Sequence, residues 1–293
     1  MDWIDLARSI PAIRRLHDER NKLKVKLRAA LEDLRKSRET LKSVRTEYAL
    51  AEKRNTSKQK LRSVTEELGR IKAMRPFSRL HEHLNRRGID LALDVGASTG
   101  QHGWALRASG FGGEIISFKP LTDAFAELEK ACSGDERWSC YRCGLGAADG
   151  EDTINISGNS YSSSFLPVGD WATEAEPGIT FVGQETTPMR RLDTLVPELT
   201  SAKRLFLMID AQGFERSVLE GAVDVLDRID AVQLELQCRA SYEGQSDLSD
   251  MIDFMRTLGL EPILLWPGWT DQMGFLREID VVFARSADSQ CPE

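Results

Sequence analysis

The sequence predicts an α/β fold: a Rossmann-like, doubly wound sheet preceded by a long α-helical coiled-coil segment. Three observations carry this. Between residues 89 and 131 an apolar run, a glycine turn, a helix, a second apolar run and a second helix follow one another, the first half of a doubly wound parallel sheet. Further apolar runs of strand length then alternate with helical patterns toward the end of the chain. Upstream, apolar residues recur at the alternating three- and four-residue steps of a heptad repeat.

The first element is the N-terminal segment, residues 1–75. Its apolar seam runs Leu16, Leu23, Leu27, Ala30, Leu34, Leu41, Val44, Tyr48 and Ala51, with only Arg20 and Ser37 breaking it. No Gly or Pro interrupts the run, and Lys, Arg and Glu flank it densely. A stripe so narrow cannot bury itself on one helix, so the expected partner is a second copy of the chain, a coiled-coil homo-oligomer of which a dimer is the simplest form. The alternative is a solvated helix. The stripe shifts phase after Asn55-Thr56-Ser57, resumes at Leu61, Val64, Leu68 and Ile71, and Gly69 and Pro76 punctuate its end.

Charge separates this segment from the rest. Residues 1–75 hold 21 Lys/Arg against 11 Asp/Glu, a net of +10, whereas residues 76–293 hold 18 against 35, a net of −17. The basic segment suits an anionic membrane surface, helped by the weakly amphipathic start Trp3-Ile4-x-Leu6. A nucleic-acid partner is not expected, because no basic patch interleaved with aromatics is present. With 41% hydrophobic and 29% charged residues a sizeable core is within reach. No apolar run approaches the roughly 20 residues of a membrane-spanning helix, no secretory signal opens the chain, and the expected location is cytoplasmic or peripheral to the membrane. The five cysteines, Cys140-x-x-Cys143 among them, read as ordinary thiols, since neither a second pair nor a histidine follows at zinc spacing.

The globular domain, residues 76–293, opens with the run Ile89–Val95 and the turn Gly96-Ala97-Ser98-Thr99-Gly100. A helix over 101–109, a strand over Glu114–Phe118 and a helix over Asp123–Ala131 follow. Further strands are expected at Trp138–Arg142, Asp152–Ile156, Leu205–Ile209, Ala231–Leu236, Glu261–Leu265 and Val281–Phe283, with helices at Glu215–Leu226 and Leu248–Leu258. In Asp94-x-Gly96-x-x-x-Gly100, Gly96 permits a tight turn and a close ligand approach, while Asp94 is placed to receive a donor. The spacing is not the Gly-x-Gly-x-x-Gly of nicotinamide sites. Asp94, Gly96, Ala97, Ser98 and Gly100 are therefore the candidate ligand loop, with a structural turn as the alternative.

Ordered blocks across residues 89–285 resemble the FkbM family of S-adenosylmethionine-dependent O-methyltransferases. They are Leu93-Asp94-Val95-Gly96-Ala97, Phe118-Lys119-Pro120, the serine-rich stretch from Asn159 to Leu166, Arg191-Leu192-Asp193-Thr194-Leu195, Ile209-Asp210-Ala211-Gln212-Gly213-Phe214-Glu215, Gln233-Leu234-Glu235-Leu236 and Tyr242-Glu243-Gly244-Gln245. The resemblance implies a class I methyltransferase sheet, S-adenosylmethionine as cofactor, and methyl transfer to a hydroxyl of a carbohydrate or glycolipid acceptor. It departs at two places. Lys119 stands where the family has a Glu that holds the cofactor ribose, and Met208 where it has a Lys. Either the site is rewired, with Thr122 or Asp123 taking the ribose, or the domain is a catalytically silent scaffold or regulatory module that oligomerises through its coiled coil.

Methyl transfer to a sugar hydroxyl needs alignment and a base or a metal. Asp210 and Glu235 end neighbouring strands, where such sheets collect reactive groups, and are the candidate catalytic acids; Asp210 also counts among the cofactor residues together with Lys119. Paired acids can ligate Mg²⁺, but no third ligand is evident, so no metal site is assigned. For Asp210 the alternative is a helix cap, and for Glu215 a charge on a helix N-terminus. Ser163, Glu215, Tyr242 and Glu243 are the candidate acceptor contacts, with Trp266 and Trp269 nearby in sequence.

Overall fold

The computed structural model describes residues 77–285 except 160 and 272, and a scatter of positions between 15 and 43. Two units divide the chain, Met1–Ile71 and Lys72–Glu293, and each is described by itself. In the first, the described positions are helical and exposed. Arg20 apart, the heptad seam lies outside the described residues, so the coiled coil stays an expectation.

The second unit is built on seven strands in the order β3-β2-β1-β7-β8-β10-β9. They are β1 (Leu91–Val95), β2 (Glu114–Phe118), β3 (Trp138–Tyr141), β7 (Leu205–Ile209), β8 (Ile229–Gln237), β9 (Leu260–Pro267) and β10 (Glu278–Arg285). β10 runs antiparallel to β8 and β9, and all other neighbours are parallel. β1 and β7 are buried on both faces, which is why they read as unbroken apolar runs. Leu91, Leu93, Val95, Leu207 and Ile209 feed the core on one face, and Ala92, Phe206 and Met208 that on the other. Each large apolar side chain so buried contributes roughly 1.5–3 kcal/mol. β2 and β3 lie on one side of β1 and the later strands β7 and β8 on the other, so the crevice beyond the C-terminal tips of β1 and β7 is the topological switch point where ligands bind such sheets.

Helices α1 (Gln101–Ser109), α2 (Thr122–Cys132), α3 (Asp170–Ala175), α4 (Leu192–Leu199), α5 (Glu215–Glu220) and α6 (Leu248–Thr257) cover the sheet. α1 ends where Gly110 takes the left-handed conformation and returns its N–H to Leu106 and Arg107. Gly103 lets the Trp138 indole press onto α1, since a Cβ there would lie 2.2 Å from the ring. α6 begins at Asp247, whose carboxylate accepts from the N–H groups of Ser249 and Asp250.

Three elements differ from expectation. The helix expected over 215–226 stops at Glu220 and continues as a 3₁₀ segment, Val223–Arg228, because Gly221 packs against the Gly146 carbonyl with no room for a side chain. A second sheet, β4 (Gly144–Leu145), β6 (Phe181–Arg190) and β5 (Gly150–Ser157), stands beside the first. Of it only the strand at 152–156 was legible, since β6 is largely exposed and carries a Gly and a Pro. α4 holds Pro197 inside it and gave no helical signal.

Candidate functional site

A cavity of about 570 Å³ opens at the switch point. Its first wall is the turn after β1. Gly96 (φ 82°) and Ala97 both donate their N–H to the Phe118 carbonyl at 3.1 Å, stapling the turn to the tip of β2. A Cβ on Gly96 would lie 1.8 Å from the carbonyl oxygen of Asp210. The glycine is thus required by the tight turn the sequence predicted and also by the neighbouring strand's backbone.

Asp94 lies behind this wall, 1% exposed. Its Oδ2 accepts from Ser117 Oγ at 2.9 Å, and that hydroxyl accepts from the Trp138 indole N–H at 2.9 Å. Its Oδ1 has no partner among the described residues, and burial pushes the carboxyl up. In the same row across the sheet, Met208 pairs with Asp94 on one side and Gln233 on the other. Gln233 Oε1 is likewise buried without a partner. An apolar side chain therefore separates two orphaned acceptors.

Lys119, immediately after β2, lines the cavity and is 6% exposed. Among the described residues its ammonium forms no hydrogen bond or ion pair. Burial lowers its pKa, while Asp210 and Asp94 oppose that shift. Thr122 and Asp123 stand outside the cavity lining, and Thr122 is tied through both its N–H and its hydroxyl to Glu185.

The floor holds the two strand-tip acids. Asp210 follows β7 and Glu235 lies near the end of β8. Between them sits Gln212, whose Nε2 donates to Asp210 Oδ1 and to Glu235 Oε2, both at 2.8 Å. Its Oε1 lies 2.9 Å from the Tyr242 hydroxyl, which also faces the Ser162 carbonyl at 2.9 Å. Burial first, then Asp210, Glu278 and Asp280, hold Glu235 well above the usual carboxylate range. Asp280 faces Glu235 across the β8–β10 pairing and is itself pushed up to about 6, chiefly by burial. Tyr242 is raised for the same reason, with Asp210 and Glu235 adding to it.

Of the sequence candidates, Gly96, Ser98, Lys119, Ser163, Asp210, Glu235 and Tyr242 line the cavity. Asp94, Ala97, Gly100 and Glu215 do not, and Glu243 is exposed away from it. Glu215, expected as an acceptor contact, is buried and spends its carboxylate on the N–H groups of Ala211 and Gly213, both at 3.1 Å; burial pushes it up to about 7. It braces the loop after β7. Trp269 and Trp171 reach the cavity, Trp266 does not. Gln212, Gln237 and Glu278 were missed. Gln212 stood in the block around Asp210 but is not titratable, and Glu278 reaches the site only through strand pairing. Among the described residues no three His, Cys, Asp or Glu side chains are gathered to hold a metal ion.

The model of the FkbM methyltransferase domain matches residues 94–262, more than half of the chain. The chain belongs to the FkbM methyltransferase family. No curated protein matches it. Solved structures similar to the FkbM domain include magnesium protoporphyrin IX methyltransferase from Synechocystis with bound S-adenosylmethionine (10% identity, TM-score 0.42, 74% of this chain and 81% of that one). Others are 1,6-didemethyltoxoflavin-N1-methyltransferase from Burkholderia thailandensis (14%, 0.39, 73% and 78%) and an rRNA methylase from Streptococcus thermophilus (10%, 0.39, 72% and 98%).

The cofactor of the FkbM domain is S-adenosylmethionine. The cavity fits it in size and in charge: a sulfonium and an ammonium suit a lining that carries Asp210, Glu235, Glu278 and Glu176 against Lys119. The β2 corner fits in part. Lys119 can donate to ribose oxygens but cannot accept from the ribose hydroxyls.

Proposed function

We propose that this domain transfers a methyl group from S-adenosylmethionine to a hydroxyl of a carbohydrate or glycolipid acceptor. The observation that carries the reading is the acid pair Asp210–Glu235, bridged by Gln212 at the floor of one cavity whose wall also presents Trp171 and Trp269. When bound, the cofactor supplies an electrophilic methyl group. Lys119, Ser98 and the acids would hold it. Asp210 takes the proton of the acceptor hydroxyl, the step a poor nucleophile most needs at neutral pH. Indole faces suit the C–H faces of a sugar ring, and polar groups such as Asn159 and Ser163 suit its hydroxyls. The basic N-terminal segment self-associates and brings the domain to anionic surfaces where such acceptors are assembled. Among the described residues no helix is long and apolar enough to cross a membrane.

The test is titration calorimetry with S-adenosylhomocysteine, followed by transfer of labelled methyl groups to a panel of saccharides and glycolipids. The reading requires cofactor binding in the micromolar range and transfer to a hydroxyl that is lost in Asp210→Asn. Labelled product on nitrogen or carbon would refute hydroxyl specificity. A second reading, a silent methyltransferase-like scaffold, is favoured by Lys119 and Met208; it requires that no heat is seen at high ligand.

A further inference from the structure

Gln212 carries more of the site than any residue singled out from the sequence. It stands three residues past β7 with φ 50°, the left-handed region that a residue bearing a side chain enters at a cost of about 1–2 kcal/mol. The surroundings hold it there: Ser164 Oγ donates to its carbonyl at 2.6 Å, and Gly213 continues the turn at φ 96°. The side-chain amide has one consistent orientation. Its nitrogen lies 2.8 Å from oxygens of two carboxyl groups, which accept, and its oxygen lies 2.9 Å from a tyrosine hydroxyl, which donates. Both amide hydrogens are therefore spent, one on each acid. Asp210 Oδ2 accepts no hydrogen bond among the described residues, and Asp210 lines the cavity.

We propose that Gln212 is the positioning residue of the acid pair: one amide ties the carboxyl groups of β7 and β8 into a single unit and leaves Asp210 Oδ2 as the oxygen presented to the acceptor. The inference deepens the function proposed above and rests on it. A glutamate at 212 would be of the same size but would supply no donors and add a third acid to the pair. A leucine would fill the space and leave Asp210 and Glu235 to repel one another. The groups facing the pair are Glu278 and Asp280 from β10, Asp94 from β1, Lys119 from the tip of β2, Glu215 from the start of α5, and Tyr242. Removing the shared donor thus leaves Lys119 as the remaining source of relief.

The experiment is a difference-infrared titration of the full chain, with Glu235→Gln identifying the Glu235 carboxyl signal, on the native protein and on Gln212→Leu, Gln212→Glu and Gln212→Asn. Native protein is expected to show Glu235 titrating as a separate step above the ordinary range. Gln212→Leu and Gln212→Glu are expected to move that step upward by about one pH unit, a tenfold change in proton affinity. Gln212→Asn, which keeps the donors on a shorter arm, is expected to recover part of the shift. In methyl transfer, Gln212→Leu should lower kcat on the order of 10²-fold with KM within about threefold. A purely structural role would lower the melting temperature and leave the titration step in place; that outcome overturns the proposal. If Gln212→Leu fails to fold, Tyr242→Phe, which frees the amide to rotate, must move the step in the same direction, and an unmoved step sinks the idea equally. The titration needs neither acceptor nor turnover. A shift without methyl transfer would remove the proposed function and keep the coupling; transfer without a shift would remove the coupling alone.

Discussion

Replacing Lys119 with glutamate perturbs the cofactor corner most directly. The ammonium is nearly buried, unpaired among the described residues, and lines the cavity at the tip of β2. A carboxylate there offers two acceptor oxygens to the vicinal diol of a ribose. Each hydrogen bond to a charged group contributes about 1.5–3 kcal/mol, so two contribute about 3–6 kcal/mol. Against this stands the new repulsion. Burial pushes the Asp94 carboxyl toward its neutral form, which leaves Asp210 as the main opponent. At an effective dielectric of about 20, a like-charge contact of this kind costs on the order of 3 kcal/mol. The balance is a gain of about 0–3 kcal/mol, or up to roughly a hundredfold in affinity. S-adenosylhomocysteine is the ligand to use, because it has the ribose but lacks the sulfonium, and calorimetry then reads the ribose corner alone. Lys119→Met removes the ammonium without supplying acceptors and is expected to change the affinity by less than about threefold. If Lys119→Glu binds no tighter than the native protein and Lys119→Met binds more weakly, the ammonium itself holds the ligand and the reasoning fails.

Four further outcomes follow from the same structure. The folded state keeps a proton on Glu215 up to about pH 7, against 4.5 for the ordinary side chain, and on Asp280 up to about 6 against 3.8; their stabilisation is complete below the ordinary values and is lost as pH rises through the folded ones, so thermal melts should be higher at pH 5.5 than at pH 8 and Glu215→Gln should flatten that slope, by on the order of 3 kcal/mol. Gly96→Ala drives a methyl into the Asp210 carbonyl; chemical denaturation should show a loss of at least about 3 kcal/mol, and a near-native curve would refute the close crossing. Met208→Lys places an ammonium between the orphaned oxygens of Asp94 and Gln233, so its melting temperature should lie clearly above that of Met208→Glu; the reverse order would contradict the assignment. Deleting residues 1–75 should leave a folded species with fewer chains per particle in light scattering, and an unchanged oligomeric state would remove the coiled coil.

How much of this was legible in the sequence depended on burial. Strands such as β1 and β7, covered on both faces, are apolar along their whole length, and glycine turns mark their ends. The exposed β6 has no such signature, and the Pro within α4 argues against a helix that tertiary packing nonetheless retains. Asp210 and Glu235 were readable as acids at strand tips. Gln212 was not, because its importance lies in what it donates to and not in its own charge. Gly96 was readable as the glycine of a tight turn, whereas the close crossing of the Asp210 carbonyl was not, since motif spacing does not show which backbone comes near. Lys119 was visible as an anomaly, whereas the lack of any partner for it required the surrounding side chains.

The seam at Gly96 also restricts how this site can diverge. With a carbonyl from the adjoining strand seated where a side chain would be, position 96 has no substitutions to explore, and the turn can move only together with the segment that bears Asp210. Adjustment of ligand preference is left to residue 119, one position beyond the Phe118 carbonyl that holds the turn, where a long side chain lines the cavity. A corner free to vary beside one that is locked is where relatives of this chain should differ most in what they bind.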